Sequence, residues 1–148
     1  MKVFGKIRID ANDTLYSKII RHGRTRCMRC DQVRELQAAH IVGRAHYSTR
    51  FMLKPVRNAV ALCMACHNWF DSSKMKGLIF ESRKRVFTAA EEGYTFLNVM
   101  CGYSWNDLEK LFILSQQVCA YSKSKPIYHI VKKQLTEELL RLESNGYR

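Results

Sequence analysis

The 148-residue sequence predicts an α+β fold: a small zinc-framed core of two strands and a helix, with one helix before it and further helices after it. Three observations predict it. Two Cys-x-x-Cys pairs, Cys27/Cys30 and Cys63/Cys66, have the spacing with which tight turns each offer two thiolates to one tetrahedral Zn²⁺. The 32 residues between the pairs hold two short apolar runs, Gln37–Val42 and Ala59–Leu62, of strand rather than helix length. Helical periodicity then marks both ends of the chain.

Taken in order, residues 1–9 alternate apolar and basic (Val3, Ile7 and Ile9 against Lys2, Lys6 and Arg8), which suits a short strand or an ordered arm. Asp10-Ala-Asn-Asp13 signals a helix start with Asp13 as N-cap, and Leu15, Ile19 and Ile20 share the face that follows. Gly23 ends that helix. Gln37–Val42 is the first strand, Gly43–Val56 a loop without period, and Ala59–Leu62 the second strand. The next helix is expected to start at or just before Cys66 and to fade after Asp71 into Ser72-Ser73. Leu78–Val99 is hard to read; Phe80, Val86, Phe87, Tyr94, Phe96, Leu97 and Val99 are expected to be buried, with a break at Gly93. Ser104-Trp-Asn-Asp107 resembles a capping box, with Asp where Glu or Gln is usual, and a helical stripe from Leu108 follows to Val118. After a polar turn at Tyr121–Lys125, Pro126 suits the first turn of a last helix. Its stripe is Ile127, Ile130, Val131, Leu135, Leu139 and Leu142, ending at Gly146.

The formal net charge of +12, with pI near 9.7, fits either a chain kept soluble by charge or one that binds a polyanion, nucleic acid first. No N-terminal apolar run resembles a leader, and no apolar stretch is long enough to span a bilayer. A cytoplasmic, reducing setting follows as the expectation, in which cysteines spaced in pairs bind metal more readily than they form disulfides. Cys101 and Cys119 sit among apolar neighbours and read as core residues.

His40, Asn58 and His67, set inside the cysteine frame, resemble the His-Asn-His (HNH) endonuclease motif. The longer phrase Ala-Ala-His-Ile…Thr49-Arg50-Phe51…Asn58-Ala-Val-Ala-Leu-Cys-x-x-Cys-His is similar to phage HNH nucleases, including relatives of the NinG/Rap recombination nucleases that act on branched DNA. The resemblance implies a ββα unit around one catalytic Mg²⁺ or Mn²⁺, with products carrying 5′-phosphate and 3′-hydroxyl ends. It makes His40 the general base, Asn58 a clasp that holds the base's strand, and His67 a metal ligand on the helix. Asp71, four residues on, shares the face of His67 and could complete the pair. The family usually places Asp or His directly before the base. Here that position is Ala39, which coordinates nothing, so a carboxylate restored there is expected to tighten the ion site; His46 is the nearest other donor in sequence.

Each residue also has a plainer reading. His40 alone would be a structural histidine, Asn58 a turn residue, His67 a spare zinc ligand and Asp71 a solvated helix residue. His22 and His129 read as structural, and Phe51, Trp69 and Phe70 as core. Arg44, Arg50, Lys54 and Arg57 are either solvated loop residues or phosphate contacts beside the base. The sequence thus divides into a nuclease core over 1–77 and a mostly helical extension over 78–148 packed on it. The function expected is metal-dependent hydrolysis of DNA with a structural Zn²⁺. The alternative is a non-catalytic zinc-dependent DNA-binding module. The last helix could pack on the core or form a homodimer interface.

Overall fold

Asp10 opens the first helix, α1 (Ala11–Arg21). Its carboxylate accepts from the Asp13 backbone N–H at 3.0 Å, while Asp13 Oδ2 accepts from the Asp10 N–H at 2.9 Å. The N-cap is therefore Asp10 and not Asp13, which stands three residues inside as the return half of a capping box. Tyr16, Ile19 and Ile20 are the buried apolar residues of α1. Gly23, at φ +72°, turns the chain out of the helix in a conformation that glycine adopts without strain. The computed structural model describes residues 9–44, 46–72, 80–81, 86–87, 91–117 and 125–145.

The first cysteine pair lies in a tight turn. Cys27 N–H donates to Gln32 O at 3.0 Å, Asp31 N–H to Cys27 O at 2.9 Å, and Arg26 bridges Val33 across it. Strand β1 (Gln37–His40) then pairs antiparallel with β2 (Ala59–Leu62), in the register Gln37–Leu62, Ala38–Ala61, Ala39–Val60 and His40–Ala59. Helix α2 (Met64–Asp71) follows β2 after Cys63 alone, so the helix starts two residues before Cys66. All four β2 residues are buried, and Phe70 of α2 has no exposed surface. The Met28 N–H donates to Ala61 O at 3.1 Å and ties the cysteine turn to the hairpin.

Beyond α2, β3 (Phe80–Glu81) pairs with β4 (Val86–Phe87). Helix α3 (Glu91–Thr95) runs into a π-helical turn over Phe96–Met100. Gly93 lies within α3 rather than breaking the chain there, and Val99 is 73% exposed, against the expectation that it is buried. Phe96 and Leu97 do enter the core. Helix α4 (Trp105–Ser115) starts with the capping box read from the sequence: Ser104 Oγ accepts from Asp107 N–H, and Asp107 Oδ2 from Ser104 N–H. Helix α5 (Lys125–Asn145) includes the expected stripe, with Leu135 buried, Val131, Leu139 and Leu142 packed on the core, and Ile130 instead 55% exposed. The expectations for residues 1–8, Ser73–Gly77, Leu78, Val118, Cys119, Tyr121–Ser124 and Gly146 fall outside the described residues, as do the side chains of Phe80, Val86, Phe87 and Pro126.

One apolar cluster joins Tyr16 and Ile19 of α1, the hairpin, Phe70, Leu97, Leu108 and Leu111, and Leu135 of α5. Phe96 meets Trp69 and Phe70 edge to face, at 5.7 and 5.8 Å. Asn12 Nδ2 reaches Tyr128 O at 3.2 Å, so α1 is bonded to α5 as well as to the hairpin. Among the described residues, no helix is long and apolar enough to cross a membrane.

Candidate active site and four-cysteine centre

Cys27, Cys30, Cys63 and Cys66 come together from the turn before β1 and the β2–α2 junction, with all four Sγ atoms within 4.8 Å of one another. None of them is in a disulfide. Four sulfurs bonded at about 2.3 Å to a tetrahedral zinc lie about 3.8 Å apart, and Cys30 and Cys63 Sγ are separated by 3.9 Å. The donor set therefore has the chemistry and spacing of a structural zinc site. Burial would raise the Cys27 thiol, but backbone N–H groups of Cys30, Cys63 and Arg29 outweigh it and pull it down to about 6. Burial and the neighbouring Cys63 and Cys27 sulfurs push Cys66 up to about 12 against a hydrogen bond from Arg29. Such mutual opposition is what a divalent cation relieves. Arg29 Nη1 donates to Cys66 Sγ at 3.5 Å while its guanidinium lies 3.7 Å over the Trp69 ring.

His40 ends β1 and is 9% exposed. Its Nε2 lies 3.0 Å from Arg50 O. A carbonyl oxygen only accepts, so Nε2 carries the hydrogen, and in the neutral ring the lone pair is left on Nδ1. Tyr16 stacks on the imidazole at 5.4 Å. The Tyr16 hydroxyl donates to Met52 O at 2.6 Å and accepts from Asn58 N–H at 3.2 Å. Asn58, with no exposed surface, closes the loop. Its Oδ1 accepts from Val42 N–H at 2.8 Å, and its Nδ2 donates to Val42 O at 2.9 Å and Thr49 O at 3.0 Å. Asn58 thus ties Thr49, the neighbour of the Arg50 carbonyl, to Val42, two residues past His40.

His67 lies on α2, with Nδ1 2.7 Å from Gln37 Oε1 and Nε2 3.0 Å from Asp71 Oδ2. Two ligands about 2.1 Å from an octahedral ion and cis to each other lie about 3.0 Å apart. His67 and Asp71 therefore fit as a two-residue donor pair for a Mg²⁺-like ion. A cavity of about 540 Å³ is lined by His40, His67 and Asp71 together, with Gln37, Asp13 and Arg44 also on its wall.

Ala39 does not line this cavity. It has no exposed surface, pairs with Val60 and belongs to the apolar core. A carboxylate there would enter the core, so the expectation that it would tighten the ion site is not supported by its position. His46 is also absent from the cavity wall; its carbonyl accepts from Thr49.

The four basic candidates separate. Arg44 lines the His40 cavity and lies 3.5 Å from Asp13. Lys54 and Arg57 are exposed and line a different cleft of about 740 Å³, against Arg141 of α5. Arg50 departs from the expectation of a phosphate contact: it is 3% exposed and grips Asp13 with Nε at 3.1 Å and Nη2 at 2.6 Å. Burial alone would raise the Asp13 carboxyl, but hydrogen bonds from Arg50 and the Asp10 backbone and the charges of Arg50 and Arg44 hold it below its ordinary value. Sequence reasoning missed Asp13, Tyr16 and Gln37 at the site. The first was masked by its capping role, and a lone tyrosine or glutamine carries no spacing signal.

Residues 24–75 match the family model of the HNH endonucleases. The match spans the cysteine centre, the hairpin and α2, and leaves α1 and the chain beyond residue 75 outside it. The matched model is described as HNH endonuclease and names no phage recombination branch. No curated protein and no solved structure matches the chain.

Proposed function

We propose that the chain is a zinc-framed, metal-dependent HNH endonuclease that hydrolyses DNA phosphodiester bonds, with His40 as general base. The observation that carries this reading is the convergence of His40, His67 and Asp71 on one cavity within the segment that matches the family. The cysteine cluster holds Zn²⁺ as a structural clip, which sets the hairpin beside α2 and requires the reduced thiols of a cytoplasmic setting.

The Arg50 carbonyl keeps His40 in the tautomer whose Nδ1 can take a proton from water. That water oxygen bonds to phosphorus as the bond to the 3′ oxygen breaks. The 3′ oxygen leaves and takes a proton from solvent to become a hydroxyl, and the phosphate stays on the 5′ side. Asn58 and Tyr16 keep the imidazole from drifting. His67 and Asp71 would hold the ion, Mg²⁺ or Mn²⁺, whose charge offsets that developing on the phosphate. Arg44, at the same cavity, faces the phosphodiester.

The test is supercoiled-plasmid nicking with Mg²⁺, Mn²⁺ or a chelator, on linear and branched substrates, for the parent and His40→Ala. Metal-dependent nicking should fall about 10²–10⁴-fold in the variant, with DNA affinity close to the parent's. Binding without nicking under every metal condition would leave the chain a zinc-dependent DNA-binding module.

A further inference from the structure

We infer that Gln37 is a positioning residue that sets His67 in the tautomer needed to bind the catalytic cation. The inference rests on the metal site proposed above and adds a residue to it. Gln37 opens β1, and its backbone is fixed opposite Leu62 in the hairpin. From there its side chain crosses to α2, with Oε1 2.7 Å from His67 Nδ1. On the other edge of the ring, Nε2 faces Asp71 Oδ2 at 3.0 Å.

A neutral imidazole has one hydrogen for two nitrogens, and these two arrangements have opposite consequences. With the hydrogen on Nδ1, donated to the amide oxygen, Nε2 presents a lone pair beside the Asp71 carboxylate. Two electron-rich atoms 3.0 Å apart are unfavourable neighbours until a cation lies between them. With the hydrogen on Nε2, the ring donates to Asp71, and the pair closes on itself across one helical turn. The closed pair offers no ligand nitrogen. Asp71 Oδ2 facing Nε2 draws the hydrogen to that side, and Oε1 facing Nδ1 draws it back to the arrangement that leaves Nε2 for the cation, as a ligand's other ring nitrogen is commonly held by an acceptor. Gln37 also belongs to the strand that ends in His40, so one four-residue element would set both the base and the ion's ligand.

His67 and Asp71 supply only two protein donors, and among the described residues the only cluster of three or more His, Cys, Asp or Glu is the cysteine one. A site with so few ligands has little to offset a wrong tautomer. Removing the Gln37 acceptor should therefore weaken the cation by about 10–100-fold.

The experiment uses full-length, zinc-loaded protein without DNA, with Mn²⁺ as the probe followed by electron paramagnetic resonance. Before Mn²⁺ is added, ¹⁵N chemical shifts of the His67 ring report its tautomer. Gln37→Leu should bind Mn²⁺ 10–100-fold more weakly and carry the hydrogen on Nε2, with unchanged zinc content and circular dichroism. Gln37→Glu, which keeps an acceptor oxygen, should hold the hydrogen on Nδ1 and bind within a few-fold of the parent; should Gln37→Leu fail to fold, the tautomer of the parent and of Gln37→Glu still decides. Parent-like Mn²⁺ affinity in folded Gln37→Leu, or the hydrogen on Nε2 in Gln37→Glu, would overturn the role of Gln37 alone. Equal Mn²⁺ binding by the parent and His67→Ala would overturn the metal site itself, and the inference with it.

Discussion

Asp13 carries three duties on one carboxylate: it returns the capping box of α1, grips Arg50, and stands on the wall of the His40 cavity. Arg50 in turn presents the carbonyl that fixes the His40 tautomer. Leaving a buried arginine without its partner costs roughly 3–5 kcal/mol, so Asp13→Asn should be destabilised by about that much at neutral pH. The pH dependence has a defined sign. The folded carboxyl titrates below the ordinary value of 3.8, so its contribution is complete above that pH and is lost as pH falls through the folded value. Denaturation of parent and variant from pH 7 to pH 3 should show the gap closing at the acid end; a constant gap would separate Asp13's effect from its charge. Acid would strip zinc from the cysteines of both proteins alike, so the difference between them isolates the carboxylate. Ala39 makes a second residue-scale case. Its side chain is wholly within the core, so Ala39→Asp should lower stability by about 3 kcal/mol or more without lowering the Mg²⁺ needed for half-maximal cleavage. A lower metal requirement in a stable variant would show that position 39 reaches the cavity after all.

At the scale of elements, legibility followed the range of the interaction. The strands were readable because four apolar residues in a row, Ala59–Leu62, between a loop and a cysteine fit little else. The α4 start was readable because Ser104 and Asp107 cap each other locally. The α1 cap was misplaced because Asp10 and Asp13 are both competent caps, and their reciprocal bonds decide which residue stands outside. Arg50 was unreadable because its partner lies 37 positions upstream, and no local pattern separates a buried guanidinium from a solvated one. Val99 failed for the opposite reason: a π-helical turn rotates it off the face that takes Phe96 and Leu97 inward. The cysteine centre joins the turn before β1 to the β2–α2 junction, so one Zn²⁺ per chain should be required to keep them together. Removing it with a strong chelator should abolish the cooperative unfolding transition and raise hydrogen exchange across residues 27–71. Folded, zinc-free protein of parental stability would remove the metal from the account of the fold.

Across the whole molecule, the +12 charge sets how nucleic acid would meet the surface, and the structure separates the basic residues available for that contact. Arg44 lies at the cavity with His40, while Lys54 and Arg57 lie along a separate cleft that α5 closes with Arg141. A duplex that runs from the first along the second would set its flanking backbone against Lys54 and Arg57. Arg50, paired inside, contributes to neither. Each phosphate contact releases counterions, with a log–log salt slope of about −0.9 per contact on duplex DNA. Lys54→Gln with Arg57→Gln should therefore make the slope shallower by about 1.8 while leaving folding intact, because both side chains are exposed. Arg50→Gln should do the reverse, lowering stability and leaving the slope of the folded fraction unchanged. Affinity titrations at four or five salt concentrations measure all three proteins. If the Lys54/Arg57 double variant keeps the parental slope, DNA does not run along the α5 cleft, and Arg44 must be the start of a path across another face.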